Sequence, residues 1–173
     1  MLCVNYCQDR AEMPESGPTR VLFVCLGNIC RSPTAHGVFE SQVRANNLQY
    51  EIVVDSCGTG DWHVGKPPDS RATAAALQSG YDLSSLRARQ VSKADFDHFD
   101  YILAMDRQNL ADLRDLQPTN YAGHLGLFLA FADEAGVTEV PDPYYGGAHG
   151  FTEVLALVEA ASAGLLRAIG DAH

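Results

Sequence analysis

Residues 21–33 read VLFVCLGNICRSP, and they decide the fold. Val21 to Val24 form a short, unbroken apolar run rich in Val and Phe, the pattern of a strand buried on both faces. The run ends on a thiol, Cys25, and a tight loop then closes on Arg31, Ser32 and Pro33. Ser32 reads as an N-cap and Pro33 as a first helical residue. The helix they open is predicted to run to about Asn46, with Ala35, Val38, Phe39 and Val43 on one face. Strand, loop and helix together make half of a βα unit.

The alternation continues outward from there. YEIVVDS (50–56) is a second strand, followed by the Gly- and Pro-rich loop CGTGDWHVGKPPD (57–69). SRATAAALQSG (70–80) is an alanine-rich helix stopped by its glycine. Ser92 with Asp95 has the spacing of a capping box for a short helix. DYILAM (100–105) is a third strand, and RQNLADLRDL (107–116) a helix with Leu110, Leu113 and Leu116 inward. HLGLFLAF (124–131) reads as the fourth strand, although its length and leucine content also suit a helix. The loop TEVPDPYYGGAHG (138–150) leads to a last amphipathic helix, FTEVLALVEAASAGLLRAI (151–169). Strands alternating with helices predict one three-layer α/β domain over residues 20–173. Its centre is a four-stranded parallel sheet with helices on both faces, and a phosphate-binding loop follows strand 1. Residues 1–19 are polar, hold two prolines and show no period, so they read as a mobile tail in which Met13 offers an alternative start.

A chain of 173 residues suits one domain with a sizeable core. Its net charge of −10 argues against a nucleic-acid partner, which calls for clustered Lys and Arg. A single phosphate is not excluded, because local donors can hold one anion whatever the global charge. No apolar run reaches membrane-span length, and the N-terminus lacks a basic segment followed by an apolar core, so no membrane partner and a cytoplasmic location are expected. The five cysteines, Cys3, Cys7, Cys25, Cys30 and Cys57, are odd in number and confined to the first third of the chain, unlike a disulfide framework. Their C-x3-C and C-x4-C pairs lack the second half a zinc site needs. Reduced thiols remain, with no metal and no cofactor expected.

In an open parallel sheet ligands bind beyond the carboxyl ends of the strands, where Cys25 sits. Two fields converge there: the positive end of a helix, about half a unit charge, and the N–H groups of a tight loop. Arg31 adds a planar fork matched to phosphate oxygens. The same field favours the thiolate form of Cys25. Holding an oxyanion beside a thiolate is what a phosphate-cleaving nucleophile requires. The N–H groups from Leu26 through Gly27, Asn28, Ile29 and Cys30 to Ser32 would cradle the equatorial oxygens. Asn28 is expected in a left-handed conformation, supported by Ser32 and Ser56.

A C-x5-R spacing alone arises easily by chance, but FVCLGNICRSPTA (23–35) as a whole is similar to the low-molecular-weight protein tyrosine phosphatases. The resemblance extends through GKPPD (65–69), RARQ (87–90), FDYILAMD (99–106) and DPYYG (142–146). It implies hydrolysis of phosphotyrosine in proteins, or of small aryl phosphates, through a phosphocysteine on Cys25. Inorganic phosphate or similar oxyanions would occupy the same loop. It also implies Asp142 as proton donor to the leaving group, a role that a rate-limiting poor leaving group demands. Trp62 and Tyr144 are placed by the resemblance on the rim of the substrate slot, while Tyr145 reads as ordinary packing or a supporting contact. Cys30 is expected to be a redox partner for Cys25, a pair the resemblance also implies: both lie in one tight loop, where a modest backbone movement could bring their sulfurs to bonding distance. Cys57 is a weaker partner, and Cys30 could instead simply fill the loop. One departure stands out. Many eukaryotic members carry a His just before ARQ that supports the loop asparagine, and LSSLRARQ (83–90) has none. Of the rival functions, a thiol-linked arsenate reductase needs cysteines in later loops, and none follows Cys57. A phosphatase branch tied to bacterial polysaccharide export fits DPYY and Trp62 less well, and an inactive phosphotyrosine-binding module would not need Cys25 and Asp142 intact.

Overall fold

The structure is a computed structural model, and it describes residues 17–133 and 136–172. Strands β1 (Thr19–Cys25), β2 (Ile52–Gly58), β3 (Tyr101–Ala104) and β4 (His124–Leu127) form one sheet in the order β2-β1-β3-β4. Every pairing is parallel, with Cys25 opposite Gly58 and Phe23 opposite Leu103. Helices α1 (Arg31–Ala45), α2 (Ser70–Gln78), α3 (Asp95–His98), α4 (Arg107–Leu116) and α5 (Ala148–Asp171) fill the connections and the end. No helix among the described residues is long and apolar enough to cross a membrane.

The continuous apolar run of β1 is buried on both sides because successive side chains alternate between two cores. Val21, Phe23 and Cys25 face one core with Val38 and Phe39 of α1 and Val154, Val158 and Leu165 of α5. Leu22 and Val24 face the other, with Phe96 of α3 and Leu110 and Leu113 of α4. Phe23 meets Phe39 and Phe128 edge-on, at centroid distances of 5.6 and 4.8 Å. The chain leaves β1 for β2 on one side and reaches β3 on the other, so the order reverses at β1. Its carboxyl end is therefore the crevice of the sheet.

Three expectations need correction. HLGLFLAF is half strand and half 3-10 turn: β4 stops at Leu127, and Phe128–Phe131 turns so that Phe128 enters the core. Gly164 of α5 admits this turn, since a Cβ there would lie 1.7 Å from the Phe131 carbonyl oxygen. Ser32 does not cap α1; the cap position is Cys30, and Ser32 and Pro33 lie inside the first turn. Thr19 already belongs to β1, its N–H bonded to Glu51 O at 2.8 Å, so the ordered fold begins before Arg20. Residues 1–16 of the expected tail, Met13 included, lie outside the described residues. Of the capping box expected at Ser92 only the return bond is present, Asp95 Oδ2 accepting the Ser92 N–H at 2.8 Å, while the cap position of α3 is Ala94.

Candidate active site

The loop between β1 and α1 turns back on itself because Asn28 adopts a φ of 54°, the left-handed conformation that Asn tolerates. Its N–H then points at Cys25 Sγ, 3.3 Å away, and Ser32 Oγ approaches the same sulfur at 3.0 Å. The neighbouring strand end clamps the loop through Thr59 N–H to Cys25 O and Gly60 N–H to Leu26 O, both 2.9 Å. Only a glycine allows this approach: a Cβ on Gly58 would lie 2.7 Å from Leu26 O.

The Asn28 side chain is fully bonded. Its oxygen accepts the Arg89 N–H at 3.0 Å, and its nitrogen donates to Ser32 Oγ at 2.8 Å and Ser56 Oγ at 3.1 Å. Arg89 is itself fixed by Asp55 and Asp95. The support expected from Ser32 and Ser56 is thus present. No histidine stands just before ARQ, and Asn28 has no histidine partner among the described residues; His36 of α1 places Nδ1 3.2 Å from Ser56 Oγ. It lies one helical turn after Ser32, a spacing visible in the sequence but not singled out there.

Arg31 is held as rigidly. Its side chain is 4% exposed, and Nη1 donates to Asp106 Oδ2 at 2.6 Å and to Val140 O at 3.1 Å. Burial opposes its charge, but Cys25, Asp106 and Asp142 together push its pKa above the ordinary value. Nη2 faces Asp142 Oδ2 at 3.5 Å, which brings the predicted acid to the predicted phosphate anchor. Asp142 Oδ1 accepts the Tyr144 N–H at 3.1 Å, so the Asp-Pro turn also orients the carboxylate. Arg71 grips the other end of that residue, donating to Tyr144 O at 3.0 Å with its guanidinium over the Tyr144 and Phe151 rings.

A cavity of about 380 Å³ opens above Cys25. Leu26, Gly27, Ile29, Cys30 and Arg31 line it with Cys25, and Trp62, Asp142 and Tyr144 stand around it. Asn28 and Ser32 do not line it; their side chains lie behind the loop and shape it. Tyr145 does line it, edge-on to Tyr144 at 4.9 Å, and is more than packing. Trp62 is 64% exposed, its ring seated on Gly60. Four contributors escaped the sequence reading: Asp106, Arg71, His36, and His63, whose ring rests on Gly27. Besides the spacing of His36, Asp106 had a local signal, an acid at the carboxyl end of a strand just before a helix.

Cys25, Cys30 and Cys57 are free thiols. Cys30 packs against Ala72 and Phe151, and burial, then Asp69, Cys25 and Asp142, push its pKa up to about 12. Cys57 is wholly buried, which raises its thiol well above the ordinary value.

The comparisons with known proteins agree with this geometry. A family model described as low molecular weight phosphotyrosine protein phosphatase matches residues 20–172. The low molecular weight protein-tyrosine-phosphatase YfkJ of Bacillus subtilis is 40% identical over 149 residues, 86% of this chain and 94% of its own. The human low molecular weight phosphotyrosine protein phosphatase is 40% identical over 144 residues, 82% of this chain and 90% of its own. Among solved structures, a protein tyrosine phosphatase from Entamoeba histolytica with Hepes in the active site superposes with a TM-score of 0.86 at 39% identity, covering 89% of this chain and 98% of its own.

Proposed function

The chain belongs to the low molecular weight phosphotyrosine protein phosphatases, a metal-independent family, and on that premise we propose how its residues divide the hydrolysis of phosphotyrosine. The Cys25 thiolate attacks phosphorus, forming an S–P bond while the P–O bond to the tyrosine breaks. Asp142, protonated at this stage, gives its proton to the departing phenolic oxygen. In the second step the Asp142 carboxylate takes a proton from water as its oxygen attacks phosphorus. The S–P bond then breaks, releasing inorganic phosphate and restoring the thiolate. One water is consumed per cycle.

Charge builds on the equatorial oxygens in both steps. The loop N–H groups from Leu26 to Ser32 and the Arg31 fork would stabilise it there. A bound phosphate would compete with Asp142 for Arg31 Nη2 and so release the carboxylate toward the leaving oxygen. Ser32, 3.0 Å from Cys25 Sγ, donates to the thiolate and makes it a better leaving group in the second step. Trp62 and Tyr144 offer apolar walls to the phenyl ring of the substrate. Cys30 is read as the thiol that traps an oxidised Cys25. A reducing compartment such as the cytoplasm suits the free thiols of Cys25, Cys30 and Cys57.

The observation that carries this reading is the convergence of Cys25 and Arg31, from the loop between β1 and α1, with Asp142, from the loop before α5, on one cavity. The test is phosphate release from a phosphotyrosine peptide and from p-nitrophenyl phosphate. Activity should persist in EDTA and vanish in Cys25→Ser, and rapid acid quench of wild type should trap phosphate on the protein. Activity that collapses in EDTA and returns with added metal would overturn the mechanism.

A further inference from the structure

Behind the loop the hydrogen bonds have a direction, and the direction is set on α1. An amide nitrogen has two protons, and Asn28 gives one to Ser32 Oγ and one to Ser56 Oγ. Ser56 Oγ is therefore an acceptor toward Asn28, and its own proton needs an acceptor elsewhere. Among the described residues that acceptor is His36 Nδ1, at 3.2 Å. The bond requires a lone pair on Nδ1, which means a neutral imidazole protonated on Nε2. Burial pushes the His36 pKa below the ordinary histidine value; Asp55 of β2 and Glu40 of α1 oppose this, while Arg89 adds to it. His36 is 8% exposed in a stretch of α1 whose other buried residues include Ala35, Val38 and Phe39. A polar ring in that company is retained only where its hydrogen bond matters.

We propose that His36 is a positioning residue for the phosphate loop: by accepting the Ser56 proton it orders the chain Ser56, Asn28, Ser32 that ends on Cys25. The inference rests on the phosphatase reading above. With Ser56 held as an acceptor, Asn28 keeps its amide nitrogen toward both serines and its oxygen toward the Arg89 N–H. Ser32 then receives a proton from Asn28 and has its own free for the sulfur. Its only competing acceptor among the described residues is Cys57 O, at 3.2 Å. Without His36 the Ser56 hydroxyl must turn to seek another acceptor, and the Asn28 amide loses a fixed partner. The left-handed turn that aims the Asn28 N–H at the thiolate then loosens, although nothing in contact with substrate has changed.

The experiment compares His36→Leu, His36→Asn and His36→Gln in steady-state hydrolysis of p-nitrophenyl phosphate, with thermal melts alongside. Leucine fills the site but accepts nothing, and kcat should fall about tenfold, the size of one buried neutral hydrogen bond, with KM within about twofold. Asparagine places an oxygen near the Nδ1 position and should recover most of the rate. In a Ser56→Ala background, where no proton needs an acceptor, His36→Leu should cost nothing further. The inference is overturned if His36→Leu retains the wild-type kcat, or if it loses the same factor with and without Ser56. If the leucine variant does not fold, asparagine against glutamine decides: the glutamine oxygen sits nearer the Nε2 position, so equal rates for the two overturn it. Failure of the wild type to hydrolyse any aryl phosphate would instead sink the phosphatase reading.

Discussion

Asp106 divides its two carboxylate oxygens between two tasks, and Asp106→Asn should separate them. Oδ1 accepts the Asn109 N–H at 2.8 Å and caps α4, while Oδ2 accepts from Arg31 Nη1 at 2.6 Å. Asparagine has one acceptor oxygen, which can serve the cap or the guanidinium, and it turns an NH₂ against the other donor. A hydrogen bond to a charged group contributes about 1.5–3 kcal/mol. Arg31 keeps its bond to Val140 O, and Asp106 is 24% exposed, so the lower part of that range applies. About 1.5–2 kcal/mol corresponds to about 10- to 30-fold in kcat/KM, because each 1.36 kcal/mol is one decade. Arg31 is expected to hold phosphate oxygens in ground and transition states alike, so inhibition by inorganic phosphate should weaken in parallel. If the oxygen instead goes to Arg31, the cap fails, at about 1 kcal/mol or roughly 2–4 °C in Tm. Steady-state kinetics, phosphate inhibition and a thermal melt on one preparation distinguish the two. A variant with kcat/KM within threefold of wild type, unchanged phosphate inhibition and an unchanged melt would refute the assignment of Asp106 as the Arg31 anchor.

Replacing Asp142 by Ala should cost about 10²- to 10⁴-fold with phenyl phosphate and much less with p-nitrophenyl phosphate, whose leaving group needs no proton; equal losses across leaving groups would count against the acid assignment. Peroxide should oxidise the Cys25 thiolate to a sulfenic acid, which Cys30 converts to a disulfide with loss of water, so that a thiol reductant restores wild type but not Cys30→Ser. Because burial first, then nearby carboxylates and Cys25, hold Cys30 up at about 12, its thiolate fraction rises with pH below that value, and protection should be faster at pH 8 than at pH 6 in a timed quench. Gly164→Ala would press a methyl group against the Phe131 carbonyl and should destabilise the fold by about 1–3 kcal/mol in urea unfolding; an unchanged midpoint would show that α5 and the 3-10 turn are not packed so closely.

The parts of the site that are contiguous in the chain were legible in the sequence. Cys25, the loop, Arg31 and Ser32 lie within one βα junction, where strand end, turn and helix start are dictated by local pattern. The parallel sheet followed for the same reason, since each strand carried its own apolar run and each connection was long enough for a helix. Asp142 was legible through family likeness and through the prolines that flank it. HLGLFLAF was ambiguous because an apolar run of that length suits strand and helix equally, and the packing of Phe128 against Phe23 settled it as half of one and half of a 3-10 turn. What tertiary structure alone decided is which distant groups face the loop. Asp106 reaches Arg31 across 75 residues of sequence and Arg71 reaches Tyr144 across 73, and no local periodicity encodes such a meeting. His36 shows the physical reason most plainly. The sequence held no histidine where family likeness expected one, and that His36 of α1 lies beside Ser56 of β2 is set by position in space, which no local pattern encodes.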